Sequence, residues 1–128
     1  MTPFGEKMRE LRKRQGVTQT QMAAALGVSS AYLSALEHGH RSRPSWYLVQ
    51  GINQFFNLIW DEAEEIERLA NLSHPRVAID TVGLSAEATE LANLLASRFS
   101  SLDEPQIKAI RVVIMGDGNA EPPSKDEL

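Results

Sequence analysis

Between Thr18 and Gly39 the sequence sets two helix-length segments on either side of one glycine, Gly27, and each segment has apolar residues on one face only. Isolated helices shorter than about 12–15 residues are marginal in water, so segments this short have to bury their stripes against each other and against further helices. Thr18 is expected to cap the first, Gln19–Leu26, with Met22, Ala23 and Leu26 inward and Gly27 ending it in a left-handed turn. Ser29 is expected to cap the second, Ser30 to about His38. There Leu33 and Leu36 point inward, while Ser30, Ala31, Ser34 and Ala35 face the other way.

The flanking sequence supplies the helices this pair needs. Phe4, Met8 and Leu11 recur at helical spacing behind Thr2 and Pro3, which predicts a helix over Pro3–Gln15 ended by Gly16. Ser45 is expected to cap a fourth helix to about Phe56, burying Leu48, Val49, Ile52 and Phe56. A fifth runs from Asp61 to Leu72, its first turn rich in acids that suit the positive end of a helix dipole. The pattern then changes. Val77, Ile79 and Thr81 alternate with Arg76, Ala78 and Asp80, the period of a short edge strand. Beyond it Ser85 opens a long amphipathic helix with Ala88, Leu91, Ala92, Leu95, Phe99 and Leu102 on one stripe. Asp103 opens a last helix holding Ile107, Ile110 and Ile114.

The expected fold is therefore all-α: a five-helix bundle over residues 1–73, then a short strand and a two-helix part over 74–115, and a disordered tail over 116–128. The stripe of the long helix exceeds what one small bundle covers, and an alternating strand with a free edge invites a symmetric partner. Val77, Ile79, Leu91, Leu95, Phe99 and Leu102 are accordingly read as dimerisation residues.

Net charge is −4, but it is divided unequally along the chain. Residues 1–57 hold seven Lys and Arg against three Glu, a net of +4, whereas residues 58–128 hold six against fourteen, a net of −8. A basic half facing phosphates, joined to an acidic half, accounts for both signs. The absence of cysteine excludes disulfides, thiol catalysis and cysteine-based zinc sites, and fits a reducing compartment. No stretch approaches the roughly 20 apolar residues of a membrane span, and Met1 to Lys13 lacks the pattern of a secretory signal, so a cytoplasmic location is expected.

The string Thr18-Gln19-Thr20-Gln21-Met22-Ala23-Ala24-Ala25-Leu26-Gly27-Val28-Ser29-Ser30-Ala31-Tyr32-Leu33-Ser34-Ala35-Leu36-Glu37-His38-Gly39 resembles the XRE-like helix-turn-helix regulators of the phage repressor and Cro class. It shares their opening Gln, Ala-Ala pair, Gly-Val-Ser turn, Leu-Ser-x-Leu-Glu run and the Pro after a basic loop. The likeness extends over about Phe4 to Leu72. It implies a repressor-like bundle whose second motif helix reads DNA. Gln19 and Tyr32 would touch the sugar-phosphate backbone, Ser29 would cap the recognition helix with its amide end toward the DNA, and Ser30, Ala31 and Ser34 would meet base edges. Arg41, Arg43 and Ser45 at the start of helix four would clamp phosphates, with weaker contacts from His38 and His40. The likeness also implies that Glu37 pairs with Arg12. Serines and alanines replace the Gln, Asn or Arg that bond purines bidentately, so DNA shape is expected to carry much of the discrimination.

Other signals point nowhere else. Lys125-Asp126-Glu127-Leu128 matches an endoplasmic-reticulum retention address, which acts only on a chain in the secretory route. His38, His40 and His74 lack metal-ligand spacing, and the acids Asp61, Glu62, Glu64, Glu65 and Glu67 are scattered by helical geometry over a solvated face. No nucleophile, base and orienting group come together, so neither enzyme activity nor a metal or cofactor is expected. The expected function is a homodimeric repressor on an inverted repeat of double-stranded DNA. The alternative is an antitoxin or other regulator whose acidic half grips a partner protein.

Overall fold

The computed structural model describes residues 1–116 and divides the chain after Ala78 into two units. The first contains α1 (Pro3–Gln15), α2 (Gln19–Leu26), α3 (Ser30–Glu37), α4 (Trp46–Phe55) and α5 (Asp61–Asn71). The second contains α6 (Ala86–Arg98), a 3-10 turn (Phe99–Ser101) and α7 (Glu104–Met115). Among the described residues the chain is all-helical. The tail expected beyond Gly116 and the Lys125–Leu128 tetrapeptide lie outside the described residues.

The first four helices each begin after a residue whose hydroxyl can take an orphan amide, whereas α5 follows Trp60 and has no side-chain cap. Thr2, Thr18, Ser29 and Ser45 accept from Gly5, Gln21, Tyr32 and Leu48, and Gln21 returns the bond to the Thr18 amide, completing a capping box. Gly27 ends α2 at φ 73° and ψ 27°, the left-handed conformation that lets the chain turn back into α3. The apolar stripes meet in one core: Phe4, Met8 and Leu11 from α1, Met22 and Ala23 from α2, Leu33 and Leu36 from α3. Leu48, Val49, Ile52 and Phe56 from α4, with Ile66 and Ala70 from α5, close it. Leu26 is only partly buried, and Ala24, next to buried Ala23, is exposed.

Two close approaches fix where α3 lies. The α3 end packs so tightly on the start of α1 that a Cβ on Gly5 would stand 2.1 Å from the Glu37 carbonyl oxygen. The Thr2 amide donates to that same carbonyl at 3.0 Å. At the same first turn of α1 the buried Ser73 hydroxyl accepts from the Phe4 amide at 2.9 Å, tying the end of α5 to the start of α1.

The expected strand is absent. Val77 to Thr81 forms no ladder among the described residues, and the unit boundary falls within it. Local bonds take up the backbone that follows: the Asp80 carboxylate accepts from the Val82 amide at 2.9 Å, and Leu84 donates to the Thr81 carbonyl across a turn with Gly83 at φ 83°. An Asx turn of this kind competes with strand pairing. The long helix is also shorter than its stripe implied. It ends at Arg98, which puts Phe99 in the 3-10 turn and Leu102 in extended backbone after it. Ser85 caps α6, and Asp103 caps α7 in a capping box with Gln106. Neither helix of this second unit has a buried residue.

Candidate DNA-binding surface

The frame of the surface is a buried ion pair. Arg12 of α1 donates two bonds to Glu37 at the end of α3, 2.6 Å and 2.9 Å long, and Glu37 is wholly buried. A bidentate pair in low dielectric fixes the orientation of α3 as well as its distance from α1. Gln19, at the start of α2, adds a long bond of 3.4 Å to the same carboxylate, so all three helices converge on Glu37.

With Leu33 and Leu36 buried, helical periodicity turns the opposite side of α3 outward. Ala31 and Tyr32 are exposed, and Ser30, Ser34 and Ala35 are half-buried. These side chains are small apart from Tyr32, which leaves the helix slim enough to enter a groove about 12 Å wide. Ser29 is exposed at the amide end, its hydroxyl already accepting from Tyr32 at 3.0 Å. His38, exposed, closes the other end, its Nδ1 donating to the Ser34 carbonyl at 2.9 Å.

The basic loop after α3 separates its two arginines. Arg41 is exposed and its guanidinium carbon lies 5.7 Å from the centre of the Tyr32 ring, a cation–π contact that holds the charge beside α3. Arg43 is half-buried next to fully buried Pro44, and its Nε is buried without a hydrogen-bond partner. His40 and Ser45 are exposed, with the Ser45 hydroxyl engaged in capping α4. Gln19 is half-buried against Glu37, which constrains it more than a free surface contact requires.

Residues the sequence reading passed over also lie nearby. Thr20 stands 3.4 Å from the Ser30 hydroxyl. Its place one residue after Gln19, on the exposed side of α2, is the signal that could have found it. At the first turn of α4, Trp46 and Tyr47 are exposed and meet edge to face at 5.2 Å. Of the residues read as dimerising, Val77, Ile79, Leu91 and Phe99 are exposed, while Leu95 and Leu102 are half-buried. Val77 belongs to the first unit and the other five to the second. No group of His, Asp or Glu among the described residues could hold a metal ion, and no helix there is long and apolar enough to cross a membrane.

The sequence profile of a family described as helix-turn-helix domain matches residues 3–74, more than half of the chain and all five helices of the first unit. The chain belongs to the helix-turn-helix family. Its pattern is that of the XRE-like transcriptional regulators, and its relatives are named HTH-type transcriptional regulators or repressor. It is 46% identical over 44 residues to the uncharacterized HTH-type transcriptional regulator RghRB of Bacillus subtilis (strain 168). That match covers 34% of this chain and 32%, about a third, of that protein's length. It is 30% identical over 98 residues to the HTH-type transcriptional repressor RghR of the same organism, covering 73% of each chain. The uncharacterized HTH-type transcriptional regulator YazB, also of that organism, is 35% identical over 65 residues, covering 51% of this chain and 93% of the relative. No solved structure matches the chain.

Proposed function

We propose that this helix-turn-helix protein represses transcription as a homodimer on an inverted repeat, each copy laying α3 in the major groove of one half-site. The observation that carries this reading is the uncrowded outer side of α3, held by the Arg12–Glu37 pair and flanked by the exposed guanidinium of Arg41. Ser30, Ala31 and Ser34 meet base edges there. Ser29, Tyr32, Arg41, Arg43 and Ser45 bind the sugar-phosphate backbone, with Gln19, His38 and His40 adding weaker contacts. The net charge of +4 over residues 1–57 supports phosphate binding, and a relative that covers most of the chain carries the name of a repressor.

Residues 74–115 form the dimerisation region, and 1–73 the DNA-binding domain. Two helices without one buried residue, with exposed Leu91 on the first and exposed Phe99 in the 3-10 turn after it, support a second chain as their missing cover. Two copies are also what a short recognition helix needs, because one alone makes few base contacts. As a regulator of transcription the protein works where the DNA is, in the cytoplasm.

Selection of duplexes from a random-sequence pool, followed by light scattering of the free and bound chain, tests the proposal. Two-fold related half-sites about 34 Å apart, bound by two copies, are the expected result. Asymmetric single sites, or a monomeric full-length chain at micromolar concentration, would contradict it. The second outcome would favour a partner protein for the acidic region, whose charge of −8 over residues 58–128 suits a basic ligand.

A further inference from the structure

One side of α4, with the turn that ends it, is a stripe of carboxamides. Gln50, Asn53, Gln54 and Asn57 recur at i, i+3, i+4 and i+7, the spacing that gathers side chains on one helix face. All four line a depression of about 360 Å³ between α4 and the start of α5, with Ile59 and Ala63 as apolar walls. A volume of that order lies within the range of small-molecule sites. None of the four side chains has a hydrogen-bond partner among the described residues. Gln54 and Asn57 are exposed and reach water, but the Oδ1 of Asn53 is buried and accepts from nothing. A buried acceptor left unpaired costs stability, so a site that keeps one points to a donor that arrives from outside.

Charge and the neighbouring aromatic define that donor's chemistry. From Pro44 to Trp60 the sequence holds no charged residue, and the first to follow are Asp61, Glu62 and Glu64 in the opening turn of α5. No cation lines the depression. A phosphate or carboxylate ligand would therefore meet acids without a counter-charge, whereas a neutral one meets no conflict. Trp60, next in sequence to Ile59, is 81% exposed. Its backbone, at φ 51° and ψ −122°, is one that suits glycine, so this position keeps a large aromatic side chain against a local steric cost. An exposed indole beside a carboxamide-lined hollow offers a stacking face next to hydrogen-bonding groups.

We propose that this depression binds a neutral purine, adenine or its nucleoside. The ligand has to be flat for the indole, uncharged for the acids, and equipped with a donor beside an acceptor for Asn53. Adenine meets all three conditions. A carboxamide pairs with its edge bidentately, the oxygen accepting from the N6 amino group and the nitrogen donating to N7. Asn53 supplies that pair, Gln50, Gln54 and Asn57 serve the remaining ring nitrogens, and Trp60 stacks on the base. The site does not depend on the reading that α3 binds DNA. It is measured on the free chain, so either can fail alone.

Trp46 and Trp60 are the two tryptophans of the chain, so Trp46→Phe in the full-length protein leaves Trp60 as a single reporter. Adenosine should change its fluorescence saturably, excited beyond the adenine absorption, with a dissociation constant on the order of 100 μM. It should also raise the melting temperature, as any ligand of the folded state alone does. Inosine, which has a carbonyl in place of the N6 amino group, should bind at least about tenfold more weakly. Adenosine monophosphate should bind more weakly too. Asn53→Ala should cost about tenfold or more in adenosine affinity while melting at or above its parent, because it removes an unpaired buried acceptor. Gln54→Ala, at an exposed position on which the fold does not depend, should also weaken binding. The absence of a saturable change at millimolar adenosine would overturn the proposal. So would equal affinity for inosine, tighter binding of the monophosphate, or unchanged affinity in either alanine variant.

Discussion

The guanidinium of Arg12 meets both carboxylate oxygens of Glu37, at 2.6 Å and 2.9 Å, in the interior where α1 and α3 cross. Removing one partner of such a pair strands the other charge in low dielectric, which costs about 3–5 kcal/mol. Glu37→Ala should therefore lose that much stability in urea unfolding of the full chain. A loss under about 1 kcal/mol, the range of exposed pairs, would show that the pair is not what fixes α3.

Gly5 makes a second fixed point. A methyl group there would stand 2.1 Å from the Glu37 carbonyl oxygen, and that oxygen cannot yield without moving the end of α3 and its bonds from Thr2. Gly5→Ala should destabilise by about 3 kcal/mol, the upper end of overpacking effects, although alanine is the better helix former. Unchanged or raised stability would contradict the packing.

The N-terminal unit was legible because its signals are local and agree. Thr2, Thr18, Ser29 and Ser45 cap the helices they were expected to cap, and the apolar stripes behind them form the core. The second unit was harder for a physical reason. An alternating Val77–Ile79 segment becomes a strand only when something pairs with it, and Asp80 and Gly83 turn the chain locally instead. The stripe ending in Leu102 likewise concealed the end of α6 at Arg98, because apolar spacing alone does not distinguish an α-helix from a 3-10 turn and an extended residue after it. At the candidate site, the stacking of Arg41 on Tyr32 and the half-burial of Arg43 depend on the loop's path across α3, which no residue pattern encodes.

Arg41 and Arg43 border α3 in a chain whose net charge is −4, and the proposed mode has both on phosphates. Replacing both with alanine should weaken binding to every duplex, and should flatten the slope of log affinity against log salt by roughly 0.9 per lost contact. The measurement is a salt titration of duplex binding, and an unchanged slope would remove the loop from the interface.

The central claim, that α3 reads DNA through its serine and alanine side, is tested most directly by Ser34→Glu. Ser34 is half-buried on the side opposite Leu33 and Leu36, so a carboxylate there extends outward from the core and, in the proposed complex, toward base edges and phosphates. Binding to a duplex selected by the wild-type chain should be abolished while circular dichroism and the melting temperature stay near wild type. Wild-type affinity in a folded Ser34→Glu protein would contradict the account and move the recognition surface off α3.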